Sequence, residues 1–233
     1  MRYQDTSERL TQYRRQISDL RGKIRELQES VEPQEVMDYT LATGDGPVRL
    51  SQLFGDKASL FVIHNMGASC PYCTLWADGF NGLLPHIENR AAFVVASPDD
   101  PQAQEKFKAS RGWRFRMLSH RDSTFAADMG YRSDDGWLPG VSVYKKQGEK
   151  IVRVADTSFG PGDDFCSIWH FFDLLPEGAA DWRPKYKYQW RKTRHSDSHR
   201  RHTHAQQRGG LTRRLAQGAP RAARCGEGVH ASA

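Results

Sequence analysis

The residue types best able to do chemistry in this chain stand together in one short run, Ser69-Cys70-Pro71-Tyr72-Cys73. Before it, Leu60-Phe61-Val62-Ile63 is continuously apolar, as a strand buried on both faces would be. His64 to Ser69 then reads as a loop, and Pro71 suits the first turn of a helix because its missing N–H would have no partner there anyway. Cys70 is thereby expected just outside a helix N-terminus, where free amides and the helix dipole favour thiolate over thiol. Cys73, three residues on, falls within the first turn on the same side. The expected chemistry is thiol–disulfide exchange, with Cys70 attacking and Cys73 displacing the captured group. A Cys-x-x-Cys is also half of a four-ligand zinc site, but the other half is missing. The remaining cysteines, Cys166 and Cys225, are isolated, and His64 and His86 lack zinc-finger spacing. A chemically idle pair is the third reading. No metal and no cofactor is expected.

The elements that must position the pair follow from periodicity. Val36 to Leu41, Leu60 to Ile63, Ala91 to Ala96 and Trp113 to Leu118 read as strands, and Leu50 to Phe54 as a helical turn. Asp99-Asp100-Pro101 opens a helix that Gly112 closes, and Ser123 to Met129 is a short helix. Val141 to Tyr144 and Ile151 to Val154 flank a Lys146-Gln147-Gly148-Glu149 turn and read as a hairpin. Asp163 to Leu175 carries apolar residues at helical spacing and is expected to cover the sheet. Strands alternating with helices indicate an α/β fold with parallel crossovers.

Ahead of this domain, Leu10, Tyr13, Ile17, Leu20, Ile24 and Leu27 recur at alternating steps of three and four, an amphipathic helix with a heptad stripe. Residues 10–27 could form a homodimer or pack on their own domain. The net charge of +6 belongs to the other end of the chain. From Arg183 onward 13 Lys or Arg face only Asp197 and Glu227, a net +11, whereas the first 182 residues hold 21 basic and 26 acidic residues, a net −5. Three segments are expected: a helix over 1–33, an α/β domain over 34–182 and a disordered, low-complexity basic tail over 183–233. His195, His199, His202 and His204 in that tail could bind a metal weakly, and its charge could meet phosphates nonspecifically, but it holds no reading motif. Nucleic acid is therefore not an expected partner. The chain begins without a signal-like apolar stretch and has no window of 18 apolar residues, so neither a membrane nor a secreted framework is expected, and residence in the cytoplasm is. There a close cysteine pair is more often catalytic or metal-binding than a permanent bridge.

The run Phe61-Val62-Ile63-His64-Asn65-Met66-Gly67, the Cys70-Pro71-Tyr72-Cys73 centre and Trp76-Ala77-Asp78-Gly79-Phe80-Asn81-Gly82 together resemble a bacterial family of thioredoxin-like proteins described as predicted dithiol-disulfide oxidoreductases, over about residues 31 to 178. The resemblance implies a thioredoxin-like fold, a central mixed sheet flanked by helices, and a redox-active pair; it implies no substrate. The segment from Asp99 to Gly136 resembles the insertion of peroxiredoxin-like proteins. In the superfamily a cis-proline before a late strand faces the cysteines, where its flanking backbone can pair with a bound substrate chain, and the resemblance implies this substrate-aligning role for Pro139, in Trp137-Leu138-Pro139-Gly140-Val141. Read without the family, it merely begins a strand.

Pro71 and Tyr72 are expected to support the pair. Trp76 could shield it or simply be core. Asp78 could be a buried acid that moves the Cys73 proton, or could mark a surface break between glycines. The partners expected are protein or small-molecule disulfides and an electron donor that the sequence does not identify. Two rival functions are a non-catalytic redox sensor or docking module, and a thiol peroxidase. The peroxidatic Pro-x-x-x-Thr-x-x-Cys pattern fails, because Ile63 and Gly67 stand at its Pro and Thr positions.

Overall fold

The computed structural model describes residues 2–189. The expectations for residues 190–233, including the four tail histidines and Cys225, lie outside the described residues. Leu60-Phe61-Val62-Ile63 forms the body of a central strand, and its neighbours build an eight-stranded mixed sheet around it. In chain order the elements are α1 (Tyr3–Ser30), β1 (Gln34–Val36), β2 (Thr40–Thr43), β3 (Gly46–Arg49), a 3₁₀ turn (Leu50–Phe54), β4 (Ser59–His64), α2 (Pro71–Arg90), β5 (Ala92–Ser97), α3 (Pro101–Arg111), β6 (Arg116–Ser119), α4 (Phe125–Asp128), β7 (Arg132–Ser133), β8 (Gly136–Trp137), β9 (Gly140–Gln147), β10 (Lys150–Ser158) and α5 (Ile168–Phe172).

The sheet order is β1-β10-β9-β4-β5-β6-β2-β3, with β7 and β8 pairing separately. β4, β5 and β6 run parallel, connected through α2 and α3, while β9 lies antiparallel to β4, with Gly140 opposite His64. This is the thioredoxin-like arrangement: a βαβ unit whose helix follows the cysteine loop, joined to an antiparallel hairpin. The Asp99–Gly136 segment supplies β6 as well as α3 and α4, so it is integral to the sheet.

Alternation along β4 divides the core in two. Leu60 and Val62 face a cluster with Leu50, Phe54, Phe125 and Tyr144. Phe61 and Ile63 face the other, with Cys73, Trp76, Phe80 and Leu84 of α2. On α2, Cys73, Trp76, Ala77, Phe80 and Leu84 are the apolar buried positions, the spacing of one helical face. Pro85 sits inside this helix and cannot donate to the Asn81 carbonyl; Arg114 Nη2 does so instead at 2.9 Å, so the gap in the ladder is filled from outside.

Three expected elements are redrawn. Val36 to Leu41 is not one strand: Asp38 turns aside to accept the Ser51 N–H at 2.7 Å, and pairing resumes only at Thr40. Trp113 to Phe115 is not strand, because Gly112 in the left-handed region ends α3 and the Trp113 N–H is drawn back to the Lys108 carbonyl at 3.1 Å. The helix expected over Asp163 to Leu175 shrinks to Ile168–Phe172. Asp163 folds onto the N–H groups of Phe165 and Cys166 at 2.9 and 3.1 Å, which holds that stretch in a turn, and Phe165, Phe171, Leu174 and Leu175 stay exposed. α1 forms as expected but buries none of its residues, so its stripe does not pack on the domain.

Candidate active site

The loop between β4 and α2 is held by side chains at each step. The Asn65 N–H bonds the Ala96 carbonyl at 2.9 Å, continuing the β4–β5 pairing by one residue. Asn65 Oδ1 then accepts the Gly67 N–H at 2.8 Å. Gly67 has a φ of 104°, where a side chain would be strained, and a Cβ there would lie 3.0 Å from Asp99 Oδ1. Asp99 Oδ2 accepts the Ala68 N–H at 2.8 Å and a bond from Ser97 Oγ at 3.1 Å. The Cys70 N–H closes the turn on the Gly67 carbonyl at 3.1 Å.

Cys70 is the N-cap of α2, in extended conformation, with Pro71 in the first turn behind it. Its sulfur accepts the Cys73 N–H at 3.1 Å, taking the place an oxygen occupies in an ordinary cap. Cys70 is partly accessible and Cys73 buried, at 2% exposure, and both thiols are free. The Cys70 pKa falls from the usual 9.0 to about 7. The chief cause is a hydrogen bond from the Cys73 thiol; burial opposes it, and the Cys73 and Tyr72 amides add to it. Cys73 moves strongly upward, because it gives that hydrogen bond, because it is buried and because it faces the Cys70 charge. The Met66 N–H, 3.4 Å from the Cys73 sulfur, pulls the other way. The two sulfurs therefore differ in role by environment: one partly accessible and acidic, the other buried and proton-holding.

Tyr72 turns its ring toward Trp76 and Trp169, at centroid distances of 6.4 and 6.3 Å. Beside it opens a cleft of about 380 Å³, lined also by Pro161, Trp182 and Arg183. Trp76 is core: it is 3% exposed, packs on Phe159 and donates from Nε1 to Asp163 at 3.3 Å.

Two expectations from the sequence are corrected. Asp78 is not an acid beneath the pair. It lies five residues past Cys73, about 140° around the helix, where it pairs with Arg111 and accepts from Trp113 Nε1 at 2.8 Å. Its side chain is 37% exposed. Nor is Pro139 a cis-proline, since no described peptide bond is cis. It does precede β9 at the end of the sheet where β4 runs into the cysteine loop, but its backbone is already engaged: the Leu138 N–H bonds the Tyr131 carbonyl, and the Pro139 carbonyl accepts from Phe159, both at 2.9 Å. The zinc reading loses its nearest histidine as well. His64 points to the face opposite Cys73, where it bonds Ser142 Oγ at 2.9 Å and stacks on Tyr131 at 3.6 Å.

Sequence reasoning missed Asn65, Met66 and Asp99 as parts of this site. Asn65-x-Gly67 is a legible turn signal. Asp99 was hidden behind Asp100, which alone caps α3, accepting from Gln102 and Ala103. Also missed was the stretch before residue 189, where Tyr186 packs on Phe107 and gives its carbonyl to Arg111 at 2.6 Å. The Tyr186 phenol is raised, first by desolvation and then by the charges of Cys70 and Cys73.

Residues 4–198 match the model of a family described as bacterial protein of unknown function (DUF899). No curated protein matches the chain. Among solved structures, a mutant of Xanthomonas campestris peroxiredoxin Q is 21% identical, with 52% of this chain and 80% of that one covered and a TM-score of 0.46. A mutant of Xylella fastidiosa PrxQ is 18% identical, with 56% and 87% covered and a TM-score of 0.48. A secreted Mycobacterium tuberculosis disulfide oxidoreductase homologous to E. coli DsbE is 18% identical, with 53% and 84% covered and a TM-score of 0.41. No helix among the described residues is long and apolar enough to cross a membrane.

Proposed function

The chain belongs to the DUF899 family of bacterial proteins, and on that premise we propose that it is a dithiol–disulfide oxidoreductase working through Cys70 and Cys73. The observation that carries this reading is the Cys70 sulfur seated at the N-terminus of α2, accepting the Cys73 N–H at 3.1 Å while Cys73 waits buried behind it.

The Cys70 thiolate attacks one sulfur of a substrate disulfide; that S–S bond breaks, one half leaves as a thiolate, and a Cys70–substrate disulfide forms. Once Cys70 is bonded, it no longer carries charge and no longer accepts from the Cys73 thiol. Two of the three causes that hold the Cys73 proton vanish together, and the Met66 N–H remains to stabilise the Cys73 anion. Cys73 then gives up its proton to water and its thiolate attacks the Cys70 sulfur; the Cys70–substrate bond breaks and the second half of the substrate leaves as a thiolate. The substrate gains two electrons, the pair becomes a disulfide, and an external dithiol returns it to the reduced state. A peroxidase is less well supported, because three residues before Cys70 stands Gly67, which brings no hydroxyl to a peroxide.

The test is capture. Cys73→Ser should accumulate mixed disulfides through residue 70, and Cys70→Ser should accumulate none. If neither variant captures a partner and the unaltered protein reduces no disulfide, the reading is wrong.

A further inference from the structure

The apolar stripe of α1 is uncovered by any described residue: Leu10, Tyr13, Ile17, Leu20, Ile24 and Leu27 are 45–69% exposed. Leu10, Tyr13 and Ile17 form one wall of an open cleft of about 930 Å³, with Leu174 on the other. The helix is fastened to the domain at its middle, where Arg21 pairs with Asp164 at 2.6 Å. From this surface we infer that α1 is one strand of a two-stranded coiled coil whose partner is an amphipathic helix from a different protein, carrying acidic residues beside its apolar seam.

The width of the stripe selects a helix as its occupant. Steps of three and four with no apolar residue on either flank make a narrow a/d seam, whereas helices that lie in a membrane surface present a broad apolar face. Taking Leu10, Ile17 and Ile24 as a and Tyr13, Leu20 and Leu27 as d, two of the three a positions are β-branched and two of the three d positions are Leu, the combination that favours two parallel strands.

The flanks select the partner's charge. The g positions are Arg9, Gln16 and Lys23, and the e positions are Arg14, Arg21 and Gln28. In a parallel pair of identical helices Arg9 would face Arg14 of the other copy, and in an antiparallel pair Arg14 would face Arg21. Every such contact is repulsive or neutral, so self-pairing gains nothing from the residues that normally fix partner choice. The chain's own C-terminal stretch, net +11 from Arg183, is no better suited. Arg21 is already held by Asp164; glutamate or aspartate at the facing positions would satisfy the other three cations, Arg9, Arg14 and Lys23.

The probes are two synthetic three-heptad helices with Ile at a and Leu at d, one with Glu at all e and g positions and the other with Lys. With the full chain, the Glu peptide should bind at least about tenfold more tightly than the Lys peptide, since like charges across such a seam cost more than the 1.4 kcal/mol that a factor of ten represents. Salt of about 0.5 M should narrow the gap. Arg9→Glu with Arg14→Glu and Lys23→Glu should reverse the preference, and Ile17→Asp should abolish binding of both peptides, with helix content checked by circular dichroism. The proposal is overturned if the two peptides bind alike or neither binds. It is equally overturned if the chain sediments as a dimer that Ile17→Asp dissolves, or if α1 binds anionic vesicles but not the Glu peptide.

Discussion

Asp99 Oδ2 accepts the N–H of Ala68 at 2.8 Å, tying the loop that delivers Cys70 to the end of β5. The same carboxylate takes a bond from Ser97 Oγ at 3.1 Å and stands where a side chain on Gly67 would collide with it. Strand β5 is parallel to β4, so both strands reach the same edge of the sheet together. That shared edge lets a residue 29 positions from Cys70 in sequence fix the geometry of the thiol loop.

Replacing Asp99 by Leu should therefore cost about 1.5–3 kcal/mol of stability, the range for a hydrogen bond to a charged group, and should slow reaction of Cys70 with iodoacetamide. Asp99→Asn keeps one acceptor oxygen and should recover most of both. Equal alkylation rates in Asp99→Leu and the unaltered protein would show that the loop holds itself.

The alkylation rate of Cys70 should rise with pH about a midpoint near 7, two units below an ordinary thiol. Because the Cys73 thiol is the largest contributor, Cys73→Ala should move the midpoint up, while Cys73→Ser, which keeps a donor, should move it less. The linkage has a definite sign. A group whose pKa is lower folded than unfolded adds stability that is complete above the unfolded value of about 9 and is lost as pH falls through about 7. Reduced protein should accordingly become less resistant to urea between pH 9 and pH 7. The Cys70→Ser variant should show a shallower slope across that window.

Gly140 opens β9 opposite His64 and has no room for a side chain: a Cβ would run into the Tyr131 ring and lie 2.5 Å from the Thr157 carbonyl oxygen. Gly140→Ala should destabilise the protein by about 1–3 kcal/mol, the range for forcing a methyl group into a packed interior. Thermal melting measures it. An unchanged melting temperature would mean that β9 can shift without penalty.

The sheet core and the thiol pair were legible in the sequence because they depend on local signals: a four-residue apolar run, a proline behind a cysteine, a Gly-centred hairpin. What sequence spacing could not show was the side of an element on which a residue lies once a tertiary partner claims it. Asp78 has the right type for a proton carrier and the wrong azimuth on α2. Pro139 stands before the right strand, yet its neighbouring backbone groups are used by Tyr131 and Phe159. Asp163 to Leu175 has helical periodicity, but the Asp163 carboxylate outcompetes the helix for the local amides. Met66 enters the site through its backbone N–H, a contribution that no residue type announces.

Behind the cysteine loop, on the other face of the sheet, two buried histidines should make the fold sensitive to acid. His64 and His120 each have an Nδ1 without a partner among the described residues. His64 is held well below 6.5 by burial first, then by His120 and Arg153. His120 is lowered to about 4, again chiefly by burial. Both must be neutral in the native state, whereas the unfolded chain binds their protons below 6.5. Stability that is intact above that value should therefore fall as pH drops toward 4, at up to about 1.4 kcal/mol per pH unit for each histidine. The carboxylates with lowered values, Asp128 and Asp164, start from 3.8 and act below this window, so pH 6.5 to 4.5 isolates the histidines. Urea unfolding across that range should show the slope, and His120→Phe should reduce it by about half. A flat profile in the unaltered protein, or an undiminished one in the variant, would mean that neither ring is kept neutral by the fold.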